Sequence, residues 1–292
     1  MLGGSTTFAT SRRVEAAGEF GRDGLVESCA MNEQINPGRP LRSWILGIPI
    51  SVVTMMTALR FLDELVRRKQ GAYICVTDVS NVMLAQENHS HRKVLLGAAM
   101  IMPDGTPLSW ISRLRGVRGI RRVCGPDFMR EALDSSVSTK WRHFLLGGTE
   151  DVLKLLEARL SKQYPKAEIV GAYSPPFRPM TDQEDEALVE DILDSKVDIL
   201  WVGLGCPKQE KWMADHRERL PGVVQIGVGA AFNFLSGVVV RAPIFMRKTG
   251  FEWLHRLLSE PRRLWRRYVI LAPKFVFAAI FETVAGSYRG VD

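Results

Sequence analysis

Strands alternating with amphipathic helices predict an α/β fold: a Rossmann-like, mostly parallel sheet with flanking helices, followed by a helical C-terminal appendage. Three observations carry that expectation. Short apolar runs rich in β-branched and aromatic residues recur along the chain, several of them ending in glycine, as strands buried on both faces do. Between them lie stretches of helical period that open on capping residues. Beyond residue 243 the texture turns basic, aromatic and helical, with no further convincing strand.

Taken in order, residues 1–42 are rich in Gly, Ser, Thr, Glu and Arg without period and close on "NPGRP"; they read as a flexible leader. "SWILGIPI" opens an α/β domain over residues 43–242. The runs "AYICVT", "RHFLLG", "AEIVGAY", "VDILWVGLG" and "VVQIGVG" read as buried parallel strands. Thr149 is placed to N-cap a helix whose face carries Val152, Leu155, Leu156 and Leu160. Thr181 and Glu184 stand at capping-box spacing. The appendage, residues 243–292, follows a boundary near Arg241–Pro243.

Composition narrows the function classes. A net charge of +7 suggests an anionic partner, whether nucleic acid, anionic lipid or a phosphorylated substrate. Cys29, Cys75, Cys124 and Cys206 form no CxxC pair and no cluster with histidine. That argues against a zinc site or a disulfide framework and suits a reducing compartment. In "HSH", His89 and His91 read as solvated loop residues. No secretory signal is visible, and the longest apolar stretch, Tyr268–Ile280, is interrupted by Pro273 and Lys274.

Ligands of parallel sheets bind outside the carboxyl ends of the strands, so the strand-end turns are where chemistry is sought. "LLGGTED" (Gly147, Gly148), "VGLGCPKQE" (Gly203, Gly205) and "IGVGAAFNF" (Gly227, Gly229) let backbone N–H groups approach a phosphate, or are plain strand–helix turns. None completes GxGxxG or a phosphate-binding GxxxxGK[ST] loop. In "CPKQEKW", Gln209 and Glu210 fall in a helix's first turn, facing a ligand or covering the helix start. "MIMPDGTPLSW" places Asp104 as either a turn residue or a partly buried general base. Asp127 in "GPDF" reads as a helix N-cap or a second polar contact. Thr77, Asp78 and Asn81 end a strong strand, as sugar-binding or as turn and cap residues. No carboxylate pair suited to a metal follows an apolar strand, so charge on a leaving phosphate would fall to arginines and helix N-termini.

The stretch Ser259–Phe281 offers them. Ser259 reads as an N-cap, and Arg263 and Arg266 share a face at i,i+3; a break near Pro261 brings Arg256 toward them as a phosphate clamp, with Arg262 and Arg267 pointing elsewhere. A solvated basic face is the plainer alternative, but it leaves Trp253, Trp265 and the apolar tail unexplained. A nucleic-acid grip through "RRLWRRY" is a rival; no RNP, KH or helix-turn-helix pattern accompanies it.

With these motifs assembled, the chain resembles the WecG/TagA/CpsF glycosyltransferases, glycosyltransferase family 26, from about Trp44 to Tyr268. "PDGTPLSW", "GPDF", "FLLGGTEDV", "SPPF", "VGLGCPKQEKW", "GVGAAFNFLSG", "RAP" and "GFEWLHRLLSEPRRLWRRY" carry the resemblance, in family order. It implies inverting, metal-independent and cofactor-free transfer from a UDP-sugar to a polyprenyl-diphosphate-linked sugar, in bacterial cell-surface polysaccharide synthesis. The unit moved would be of N-acetylmannosamine type, or alternatively glucose or galactose for exopolysaccharide or capsule. It implies that Asp104 is the base and that Gln209 belongs to the donor site. Asp78 stands where many relatives carry Asn, and Asn233 where many carry Asp. The family's three C-terminal arginines match Arg256, Arg263 and Arg266. The expected donor site thus comprises Thr77, Asp78, Asn81, Asp127, Gly147, Gly148, Gly205, Gln209, Glu210 and Gly229. The protein would work peripherally on the anionic cytoplasmic face of the inner membrane, with Trp265, Tyr268 and Val269–Phe281 in the bilayer interface. Nucleic acid would play no part, and the sequence leaves self-association open.

Overall fold

The computed structural model describes residues 38–243, 246 and 252–292, the side chain of Arg263 excepted. The leader expected over residues 1–42 lies outside these up to residue 37, and Arg42 already belongs to the first strand.

β1 (Arg42–Ile45) and β2 (Ile48–Ser51) form an antiparallel hairpin. Its two-residue turn places Leu46 and Gly47 at φ 48° and 68°, the left-handed pair that matches the strand twist. Then come α1 (Met55–Arg67), β3 (Ala72–Thr77), α2 (Val79–Glu87), α3 (His89–Gly97), β4 (Met100–Pro103), α4 (Thr106–Leu114) and α5 (Gly125–Thr139). The second half runs β5 (Arg142–Gly147), α6 (Glu150–Gln163), β6 (Glu168–Tyr173), α7 (Asp182–Asp194), β7 (Ile199–Gly203), α8 (Lys208–Asp215), β8 (Val224–Gly227) and α9 (Ala231–Leu235). The C-terminal segment holds α10 (Glu252–Ser259), α11 (Pro261–Trp265), a π-helical turn (Arg266–Leu271) and α12 (Ala272–Val284).

Six strands form one sheet in the order β4-β3-β8-β7-β5-β6, and every pairing is parallel. Alternation along each strand feeds two cores. Ile74, Met100, Trp201 and Ile226 face α1, α5 and α6, and Tyr73, Cys75, Ile101 and Val202 face the other side. Thr149 and Thr181 cap α6 and α7 as their spacing predicts, Thr181 within a full capping box with Glu184.

The C-terminal segment is joined to the sheet domain by burial and charge. Phe275 and Ala279 of α12 are fully buried in the second core. The Arg115 side chain is 1% exposed. It donates to the Trp44 carbonyl at 2.6 Å, to Thr283 Oγ1 at 2.9 Å, to the Ala279 carbonyl at 3.1 Å and to Glu282 at 2.8 Å. The Arg42 amide donates to the Asp292 carbonyl at 2.8 Å. The opposite face of α12 is bare: Phe277 is 76% exposed, Phe281 67%, with Val276, Ile280 and Val284 beside them. No helix among the described residues is long and apolar enough to cross a membrane.

Two local expectations are corrected. Ser259 ends α10, its hydroxyl donating to the His255 carbonyl at 2.9 Å, and Glu260 occupies the N-cap of α11. His91 is buried rather than solvated, its ring bonded to Asn81.

Candidate active site

The carboxyl ends of β3, β4, β7 and β8 open into a cavity of about 350 Å³. Asp78, Asp104, Gly205 and Gly229 line the sheet side; Arg256, Leu264 and Arg267 line it from the C-terminal segment. Strand order explains which predicted turns take part. β5 is separated from β8 by β7, so Gly147 and Gly148 lie away from the cavity. Their glycines answer a packing need instead: a Cβ on Gly147 would stand 2.6 Å from the Gly203 carbonyl carbon.

Asp104 follows β4, and its amide donates to the Thr77 carbonyl at 2.7 Å, fixing the loop across the β3–β4 pair. Thr77 itself is fully buried with its hydroxyl unpartnered among the described residues, and it stands outside the cavity lining, so the contact expected of it is not made. Burial pushes the Asp104 carboxyl above its ordinary value, while Arg122 and Arg256 pull it down. Arg122 Nη2 stands 3.5 Å from Asp104 Oδ1 and 2.7 Å from Glu252 Oε2.

Behind the sheet wall runs a buried polar network. Gln209 Nε2 donates to Glu210 Oε1 at 2.9 Å, while the Gly229 amide donates to Gln209 Oε1 at 3.0 Å. Asn81 Nδ2 donates to the same Glu210 oxygen at 3.3 Å. Burial raises the Glu210 carboxyl above its usual range. The network ties α2, α8 and the end of β8 together; Gln209 and Asn81 reach the cavity, and Glu210 supports them from behind. Gly205, at φ 78°, makes the turn that starts α8.

Asp78 N-caps α2, accepting from the Asn81 amide at 3.0 Å and from Ser80 Oγ at 2.7 Å, and it is ion-paired with Arg267. Asp127 is not the N-cap of α5, where Cys124 stands. It lies in the first turn, accepting from Arg241 Nη2 at 2.9 Å and from the Cys124 thiol at 2.9 Å. It stands outside the cavity lining, which Arg241 and Cys124 reach. Burial pushes that thiol up to about 12, which keeps it a donor.

Of the three arginines singled out by spacing, Arg256 reaches the cavity, its guanidinium 5.5 Å above the Phe234 ring. Arg266 is exposed and stands over the Trp265 ring, whereas Arg267, expected to point elsewhere, lines the cavity. The π-helical turn begins at Arg266, and i→i+5 bonding shifts the phase that an i,i+3 reading assumes. The Arg263 side chain lies outside the described set. Arg122, Arg241 and Glu252 were missed: nothing in their spacing announces pairs formed across 11 to 130 residues.

A second hollow, about 280 Å³, shares Asp78, Asp104, Arg122, Glu252, Arg256 and Arg267 with the first. Its other walls are mainly apolar: Pro107 and Trp110 of α4, Trp253 and Tyr268 opposite, and Ala272 at the start of α12. Among the described residues no group of three His, Cys, Asp or Glu side chains could hold a metal ion.

A family described as "Glycosyl transferase WecG/TagA/CpsF family" matches residues 43–289. An N-acetylglucosaminyldiphosphoundecaprenol N-acetyl-beta-D-mannosaminyltransferase of Bacillus subtilis (strain 168) is 33% identical over 240 residues, 82% of this chain and 91% of that protein. The protein of the same name from Bacillus spizizenii is 33% identical over 220 residues, 75% of this chain and 81% of that one.

Proposed function

Because the chain belongs to the WecG/TagA/CpsF family and is a glycosyltransferase, we propose that it moves an N-acetylmannosamine-type sugar, or another hexose, from a UDP-sugar to a polyprenyl-diphosphate-linked sugar. The observation that carries this reading is the position of Asp104. It stands on the wall shared by a polar cavity and an apolar hollow, with Arg122, Arg256 and Arg267 beside it. A sugar nucleotide suits the first chamber. An acceptor that is sugar at one end and isoprenoid at the other suits the passage from the first to the second.

Transfer is a single displacement that inverts the anomeric centre. Asp104 takes the proton of the acceptor hydroxyl while that oxygen bonds to the anomeric carbon. The bond from that carbon to UDP breaks on the opposite face, and its electron pair leaves on the β-phosphate oxygen. Fixed positive charge stabilises that oxygen and the acceptor diphosphate. Arg256 and Arg267 supply it within the cavity, and the family resemblance adds Arg263 and Arg266 to the clamp. Gln209, Asn81 and the Gly205 and Gly229 turns hold nucleotide and sugar, with Glu210, Asp127, Thr77, Gly147 and Gly148 supporting them. The bare face of α12 lies in the anionic leaflet of the membrane on which the acceptor is carried.

Transfer assays across a panel of UDP-sugars, with a short-chain polyprenyl-diphosphate-sugar acceptor, test the reading. N-acetylmannosamine as the best donor is the expected result, and UDP-glucose or UDP-galactose would replace it if either is preferred. No transfer from any member would overturn the proposal.

A further inference from the structure

Glu252 is the odd group at this site. A transferase that handles diphosphates gains from cations at its cavity, yet the first residue of α10 brings a carboxylate into it, 7% exposed. Two arginines of the sheet domain receive it. Arg122 Nη2 stands 2.7 Å from Glu252 Oε2, and Arg241 Nε 3.3 Å from Oε1. Arg122 Nε is buried without a partner among the described residues, so the carboxylate is what orients that guanidinium. Although burial alone would raise Glu252, its bonds to Arg122 and Arg241 hold it below the usual carboxylate range, so it is charged.

We infer that Glu252 is a positioning residue: it holds Arg122 between itself and Asp104, and so sets how strongly that guanidinium acts on the catalytic base. The inference rests on the assignment of Asp104 as base. Asp104 faces Arg122, Arg241 and Cys124 from the sheet domain, Asp78 from the end of β3, and Arg256 and Arg267 from the C-terminal segment. Arg122, Arg256 and Arg241 all lower the proton affinity of Asp104. The charge of Glu252 offsets part of that field, and burial does the rest.

The sign of the test follows. Removing the Glu252 charge strengthens the positive field on Asp104 and lowers its proton affinity. The acidic limb of kcat/KM against pH is therefore expected to move down by about one pH unit in Glu252→Gln, with reduced turnover on the plateau. Glu252→Asp, which keeps the charge, should leave the limb near its original position. Activity lost in Glu252→Gln without movement of the limb would mean that the residue only fastens α10 in place, and would overturn the inference. So would an unchanged limb with unchanged activity. Asp104→Asn separates the two claims. If the acidic limb survives in that variant, the limb belongs to another group and the assignment of the base fails. If it disappears there yet stays fixed in Glu252→Gln, the inference about Glu252 alone fails.

Discussion

The two walls of the cavity are built on different principles. On the sheet side, Gln209, Glu210, Asn81 and the Gly229 amide are linked by hydrogen bonds of 2.9 to 3.3 Å, and the Asp104 loop is pinned by the backbone of β3. On the other side, Arg267 with Asp78 and Glu252 with Arg122 and Arg241 are ion pairs. The helix that follows them turns bare phenylalanines outward. Hydrogen-bonded burial fixes atoms to fractions of an ångström and suits the recognition of a small polar donor. Ion pairs at a cavity mouth can exchange partners, an incoming diphosphate replacing a carboxylate. Under the proposed function, the rigid wall would suit the soluble donor and the exchangeable wall the acceptor carried on a membrane.

Variants can break or sharpen that contrast. The largest effect is expected from Asp104→Asn: turnover falls by roughly 10²-fold or more while calorimetry still detects UDP binding. Undiminished turnover would take Asp104 out of the mechanism. Next come Arg256→Ala and Arg267→Ala, each expected to cost about 10- to 10²-fold with a diphosphate-linked acceptor. Arg266→Ala should cost less, and equal losses at Arg266 and Arg267 would contradict the phase set by the π-helical turn. A smaller effect, about 10-fold, is expected on binding to anionic vesicles when Phe277 and Phe281 are both replaced by Asp. Transfer to a short-chain acceptor in detergent and the melting temperature should stay put; loss of the fold would show that this face packs rather than docks. Smallest of all, Thr181→Ala removes the cap of α7, far from both walls. It should cost about 1 kcal/mol in denaturant unfolding and leave turnover alone.

The same division governs what could be read from the chain itself. Strands such as "ILWVG" and caps such as Thr149 and Thr181 are local properties, set by neighbouring residues, and the structure contains them as spacing predicts. The strand-end location of Asp104 and Gln209 follows from the same pattern. Arg122 and Glu252 are separated by 130 residues, and no periodicity links them. Gly147 and Gly148 looked equivalent to Gly205 and Gly229 because a turn sequence does not reveal where its strand lies in the sheet order. Arg266 and Arg267 exchanged places because i,i+3 spacing presumes α-helical phase, and the chain departs from it at residue 266.

Arg115 carries a practical lesson. Its guanidinium is enclosed by Trp44, Ala279, Glu282 and Thr283, so trimming the tail to improve solubility would remove three of those four partners and uncover the apolar core that Phe275 and Ala279 close. A shortened version meant for crystallisation or inhibitor screening should therefore keep α12. Otherwise, a dead enzyme could be mistaken for proof that the tail performs chemistry, when what failed was the scaffold.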